Sequence, residues 1–590
     1  MALWQRPVRI GLASFTIAFG IAVIFAIQQR PPNENYDPLD RVDADAVIQS
    51  RGARIEQTAN AVQSLSVKAD TQLAYPDGSV KVIGQVRIET PDGLLATTEE
   101  ASYSDGEDFV TMPFSTEFKR DNFIARADSA NYDRQNDIVY LEPNAFVELL
   151  NDDTASRARI NSHSAVVAQE SGYMKFSGSS TVVVDMNRLS GSEILATLNR
   201  NDKSKLDAIE IMGDGRIAGI SETESNPNEL TAPEINVIYG QNTISRAELK
   251  GGAAITGRGN NELTAPEINV IYGQNTIEQA ELKGGAVITG KEDTVGHLES
   301  MKASEIDVTY KDEELDTLSM NGGSALSMHG DQGASGALIE AGAIDITFNQ
   351  VSNTFRTIQA RNNVTVNLPS EETGNQEIAA QVFDMTSEPA PADQDVSEVI
   401  RAEFSGPVTY QETQDESSQE SAKRLIRSEV LRADLQPGFL GLQAATFDNN
   451  VELLSGDITG EASTALYDVQ AGTFELNASE ANGTQPRIID NRGTLEATSI
   501  AIDFSGPNVS AVGDIKGVLE SPTEPTETPE SENDFTKRPA LLQQGPPIYV
   551  VAGRFDYDAN TSLATYSEAA RLWQNVTEFA ADTLLLNEST

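Results

Sequence analysis

The chain has 590 residues, 39% of them hydrophobic and 22% charged, with a formal net charge of -48 and no cysteine. That balance argues against nucleic acid and against a body lying flat on an anionic membrane, because both need Lys/Arg patches. The missing cysteines remove disulfides, thiolate metal sites and cysteine nucleophiles, and leave the compartment open.

In chain order, residues 1–9 form a short basic start and residues 10–27 (IGLASFTIAFGIAVIFAI) an uncharged apolar run. As a helix this run rises about 27 Å, close to a bilayer core. Arg6 and Arg9 before it favour a cytoplasmic N-terminus. The expectation is a single-pass inner-membrane protein with its bulk in the periplasm; the rival is a cleaved signal peptide, and no good small-x-small cleavage site follows the run. Residues 28–60 read as a juxtamembrane linker.

From residue 61 the pattern is of strands. Residues 61–220 carry Val80–Ile88, Leu94–Tyr103, Phe123–Tyr132 and Tyr173–Val184, each alternating apolar with polar positions. Residues 221–386 form a tandem repeat: Asn228–Gly257 recurs nearly letter for letter as Asn261–Gly290, a period of 33, with fainter copies from Met301 and Ile339. Within a unit, Ile235, Val237 and Tyr239 alternate with Asn236 and Ile238, and Ala247, Leu249, Gly251, Ala253 and Ile255 alternate with mostly polar partners. Period two predicts a pair of half-buried strands joined by a turn at Gly240-Gln241-Asn242, with Pro233 at an edge or bulge. Residues 387–424, rich in Pro, Asp, Glu, Gln and Ser, read as an acidic polar insertion; 425–520 return to the strand pattern; 521–547 read as a Pro/Glu/Thr-rich linker; and 548–590 form a last repeat. The fold expected is mainly β and antiparallel.

Little in the sequence points to catalysis. His163, His297 and His329 are isolated, no nucleophile elbow, Walker loop or zinc-protease motif occurs, and the acidic Glu234, Glu267 and Glu305 recur with the repeat as solvent-facing or edge-protecting residues would. The Gly251 and Gly284 pairs read as close-packing strand positions. No enzyme activity, metal or cofactor is expected. Small interior candidates (Ala247, Ala253, Ala280, Ala286) suit either an open groove or a tightly packed solenoid core.

An apolar N-terminal run followed by Ala-x-x-x-x-x-Tyr and Gly-x-Val strand pairs resembles LptC. Val551–Leu586, with AARLWQ at Ala569–Gln574, resembles LptA/OstA of the same lipopolysaccharide-export family. The resemblance implies an elongated, twisted β-jellyroll open along one side, preceded by one transmembrane helix, with an LptC-like part at 61–220 and LptA-like repeats toward the C-terminus. It further implies a conduit that carries lipopolysaccharide or a related lipid by its acyl chains from an inner-membrane ABC transporter to an OstA-like periplasmic or outer-membrane partner joined by strand-edge pairing. A further Gly-x-Val strand would be expected after Thr590. The groove candidates are Val86, Ile88, Phe123, Ala125, Tyr132, Val182, Val184, Ile235, Val237, Tyr239, Leu249, Ile268, Val270, Tyr272, Leu282, Ile306 and Val308. The alternative of a different class is a membrane-anchored β-solenoid structural or adhesion protein without lipid transfer.

Overall fold

The computed structural model describes residues 42–587 except 60–61, 105–107, 151–155, 185, 221–227, 241–242, 258–260, 274–275, 291–296, 312–313, 331–334, 350–353, 370–374, 390–397, 414–422, 480–484, 505, 507 and 521–545. Strands make up 80% of the structure and every pairing given is antiparallel, in one sheet of 36 strands among the described residues. They form two compact units, one of residues up to Ser180 with Leu198–Lys205, the other of Thr181–Thr197 with Leu206 onward.

The second unit shows most directly how the sequence builds the sheet. Strand Glu229–Tyr239 pairs with Ile244–Thr256, which pairs with Glu262–Tyr272, and so on, each strand hydrogen-bonded to its neighbours in the chain. Alternation puts Ile235 and Val237 inside and Asn236 and Ile238 toward the outer face. The period-two reading of the repeat therefore holds.

Every strand in this run breaks step near its middle. Between Thr231 and Glu234 the register with the next strand shifts by one, and on that strand the extra residue falls at Gly251-Gly252. Both glycines are left-handed, with φ of +89° and +97°. A β-bulge built from two such residues bends the strand sharply. The bend recurs at Gly284-Gly285, Gly322-Gly323, Asn362-Asn363 and Asn449-Asn450, where asparagine replaces glycine as the other residue tolerant of positive φ. This corrects the close-packing reading of the glycine pairs. Gly251 and Gly252 face outward, and a Cβ on Gly252 would meet nothing within 4 Å, so backbone conformation and not crowding selects glycine. Pro233, lacking a donor, occupies the matching gap in the ladder of the partner strand.

The aligned bends crease the sheet lengthwise into two half-sheets. Leu230 and Ala232 face the interior before the bend and Ile235 and Val237 after it, so the buried phase skips one residue at Pro233-Glu234. Along the outer crease Glu234, Lys250, Glu267, Lys283 and Glu305 stand directly opposite one another on successive strands, a ladder of alternating sign. Such exposed pairs add little stability, but they oppose slippage between neighbouring strands, because a shifted register would set like charges opposite or leave the charges unmatched.

Three expectations need correction. Among the described residues no helix is long and apolar enough to cross a membrane, which overturns the single-pass inner-membrane assignment with a periplasmic body; the apolar run 10–27 lies outside the described residues. Residues 28–60 are not all linker, since Ile48–Ala59 is a strand. Nor are 387–424 all insertion: Glu398–Thr413 is a full strand whose buried Ile400, Ala402, Phe404, Val408 and Tyr410 were hidden in the sequence by dense Glu, Gln and Ser. Most of 521–547 lies outside the described residues.

Candidate lipid-binding interior

The interior between the half-sheets is made of rows of cross-strand neighbours. One row of the second unit runs Ile211, Ile235, Leu249, Ile268, Leu282, Ile306, Met320, Ile344. It continues through Ala360, Phe383, Phe404, Leu431, Phe447, Ala465, Leu476, Ile500, Ala511 and Phe555 without a polar member. A second row on the same half-sheet begins Ile209, Val237, Ala247, Val270, Ala280, Val308. The opposite half-sheet supplies a third, Ile217, Leu230, Ile255, Leu263, Ile288, Met301, Leu326, Ile339.

The structure brings the repeat-region candidates together on one wall: Ile235, Leu249, Ile268, Leu282 and Ile306 in the first row, Val237, Val270 and Val308 in the second, Tyr239 and Tyr272 at the free rim. Val86, Ile88, Phe123, Ala125 and Tyr132 are interior residues of the first unit, and Val182 and Val184 face inward on strand Tyr173–Val184. All are buried except Tyr272, which is half-buried at the rim. With the side chains as they stand, water does not reach the rows. Of the third row Ile255 was read in step with Leu249, but Leu230 and Leu263 were missed, because on their strands the phase skip at the crease puts Leu230 out of step with Ile235; two consecutive outward residues, Pro233-Glu234, are the signal that would have found them.

Opposite the crease the two rims meet along a mouth. Tyr239, Tyr272, Tyr310 and Phe348 recur at the end of one strand per repeat and set a line of rings along one rim. Burial pushes the phenols of Tyr272 and Tyr310 well above the ordinary tyrosine range. Further along, the Gln376 carboxamide oxygen accepts from the backbone N–H of Leu442 on the facing rim at 3.0 Å, and Phe439 in the turn before it packs edge-on against Phe355 at 6.3 Å.

At three places the rims are joined by an arginine. In the first unit Arg120, 4% exposed, sits at the tip of one half-sheet and donates a fork to Asp137 on the turn of the other (2.6 and 2.7 Å); the Tyr132 hydroxyl donates to the same carboxylate at 3.0 Å. Burial first, then the Asp137 charge, push the Tyr132 phenol up. In the second unit Arg424 pairs at 3.0 Å with Glu412, its direct cross-strand neighbour, and reaches the facing rim by donating to the Tyr467 hydroxyl at 3.2 Å and lying 4.2 Å over the Phe504 ring. Tyr467 in turn donates to Glu412 at 3.1 Å. Glu412 is 1% exposed, and among the described residues its Oε1 and the neighbouring buried Tyr410 hydroxyl reach no hydrogen-bond partner. The third arginine, Arg492, lies 4.3 Å over the ring of Tyr557 on the facing rim, held by Asp490 in its own hairpin. Beneath it is a cavity of about 50 Å³ lined by Ile488, Leu495, Val509, Phe555 and Tyr557.

Among the described residues no three His, Asp or Glu side chains cluster as a metal site would need. His163 lies near Glu142 on the surface, and His329 and His297 meet through a backbone hydrogen bond of 3.0 Å. No family model and no curated protein matches the chain.

Proposed function

We propose that the chain is a non-catalytic lipid conduit, which binds lipopolysaccharide or a related lipid by its acyl chains and passes it from an export ABC transporter toward an OstA-like partner. The observation that carries this reading is the continuity of the apolar rows. A globular core is closed at every side by polar residues, whereas these rows run unbroken across strand after strand, as a path for an acyl chain must. The resemblance of the Ala-x-x-x-x-x-Tyr and AARLWQ segments to LptC and LptA supplies the lipid class and the twisted jellyroll with a mouth along one side. Joining to that partner by strand-edge pairing, main chain to main chain, is what the same resemblance implies.

The test is a photo-crosslinking amino acid at Val270, inside, and at Glu248, on the outer face, in chains incubated with lipopolysaccharide. Adducts from Val270 and none from Glu248 are expected. Adducts from neither, or equally from both, would refute the conduit. A second reading, a structural or adhesive β-solenoid without lipid transfer, is favoured by the exclusion of water from the rows, and the empty result at Val270 would select it.

A further inference from the structure

The three arginine contacts across the mouth ask for an explanation that stability does not give. Replacing a buried ion pair by apolar side chains is often neutral or stabilising, and along the repeats this chain carries tyrosine and phenylalanine rings, not arginines, at the rim. At Arg424 the closed arrangement even leaves Glu412 Oε1 and the Tyr410 hydroxyl without partners among the described residues. Leaving buried polar atoms unpaired costs about 1–3 kcal/mol each. A contact built this way is poorly suited to permanent closure and well suited to exchange.

Arg424 and Arg492 also stand where an amphiphile would change character. Below Arg424 lie Tyr410 and Ile426, and below Arg492 the cavity, lined by Ile488, Leu495, Val509 and Phe555 together with Asp490 and Thr494. In a chain of net charge -48 these rim guanidinium groups are cations at the edge of the interior, and a guanidinium fork matches phosphate or carboxylate oxygens.

We propose that Arg424 and Arg492 are headgroup sites for an anionic acyl amphiphile: the anion takes the guanidinium away from the facing rim, so that binding the headgroup and parting the mouth are one event. This rests on the lipid-interior reading and adds to it where the charged end sits and what opens the way in. No bond is made or broken; an arene or phenol contact across the mouth is exchanged for a charge-assisted hydrogen bond to the ligand.

The test uses the full chain, whose lack of cysteine lets two labels be placed without background. Spin labels at Gln411→Cys and Asp468→Cys flank the Arg424 contact on opposite rims, and dodecyl phosphate, dodecanol and inorganic phosphate are the probes. Dodecyl phosphate should bind more tightly than dodecanol and lengthen the label distance, whereas inorganic phosphate should leave it unchanged. In Arg424→Gln the distance should be broadened without ligand, and dodecyl phosphate affinity should fall about tenfold while dodecanol affinity holds. Arg492→Gln, in a more exposed hairpin, should weaken dodecyl phosphate binding in the same way and serves if Arg424→Gln fails to fold. Equal binding of the two amphiphiles to the unsubstituted chain, or undiminished dodecyl phosphate binding in both variants, would overturn the proposal while leaving the lipid interior intact. Opening by inorganic phosphate alone would overturn the coupling to an acyl chain, and binding of neither amphiphile would remove both readings together.

Discussion

Truncating Ile235 to alanine is the sharpest probe of the two-walled interior. Ile235 is wholly buried, stands between Ile211 and Leu249 in its row, and lies against the bend at Gly215 of the neighbouring strand. Removing three carbons at about 0.8 kcal/mol each gives about 2.4 kcal/mol, and the cavity left behind raises the loss to about 3 kcal/mol. The adjacent Asn236 points to the outer face, and Asn236→Ala should change stability by no more than about 0.5 kcal/mol. Urea unfolding followed by circular dichroism reads the totals. Hydrogen exchange reads the location: because each of these strands is hydrogen-bonded in the ladder only to its neighbours, protection should fall in Leu206–Gly219, Glu229–Tyr239 and Ile244–Thr256 and stay intact in Leu563–Gln574. A loss at Asn236→Ala as large as at Ile235→Ala, or a uniform loss of protection, would refute the facing assignment.

Deleting residues 258–290 removes one period, after which Ile244–Thr256 can take the place of Ile277–Thr289 beside Leu298–Lys311, with Leu249 opposite Ile306 and Lys250 opposite Glu305; the shortened chain should still unfold cooperatively by circular dichroism. Gly323 has φ of +79° and open space at its Cβ position, so Gly323→Val should cost about 1–2 kcal/mol in urea unfolding, from backbone strain alone, and Gly323→Asn clearly less. Burial, and next the Glu412 charge, hold the Tyr410 and Tyr467 phenols above the ordinary tyrosine value of 10.0, and burial with a hydrogen bond to Asp43 holds Tyr75 up at about 12. These folded values are raised, so the stability they contribute is full below pH 10 and is lost as pH rises beyond it; phenolate absorbance at 295 nm should therefore lag a free-tyrosine titration and then rise together with unfolding. Coincidence with the free-tyrosine curve would contradict the burial.

The strand content and the facing of the repeat residues were legible in the sequence, because a strand sends successive side chains to opposite faces and Ile235-Asn236-Val237 writes that period directly. The 33-residue repeat likewise announced that alternate strands, one pair per unit, would be near copies in a common register. The crease was not legible: Gly251-Gly252 looks like packing until the positive φ values and the register shift are known, and the phase skip at Pro233-Glu234 hid the second wall with Leu230 and Leu263. Nor could sequence reveal the mouth. Arg120 and Asp137 are 17 residues apart, Arg424 and Tyr467 43, Arg492 and Tyr557 further still. Only the folding of one sheet back on itself brings such pairs together, because local periodicity specifies which face a residue shows but not which distant strand tip will lie across from it.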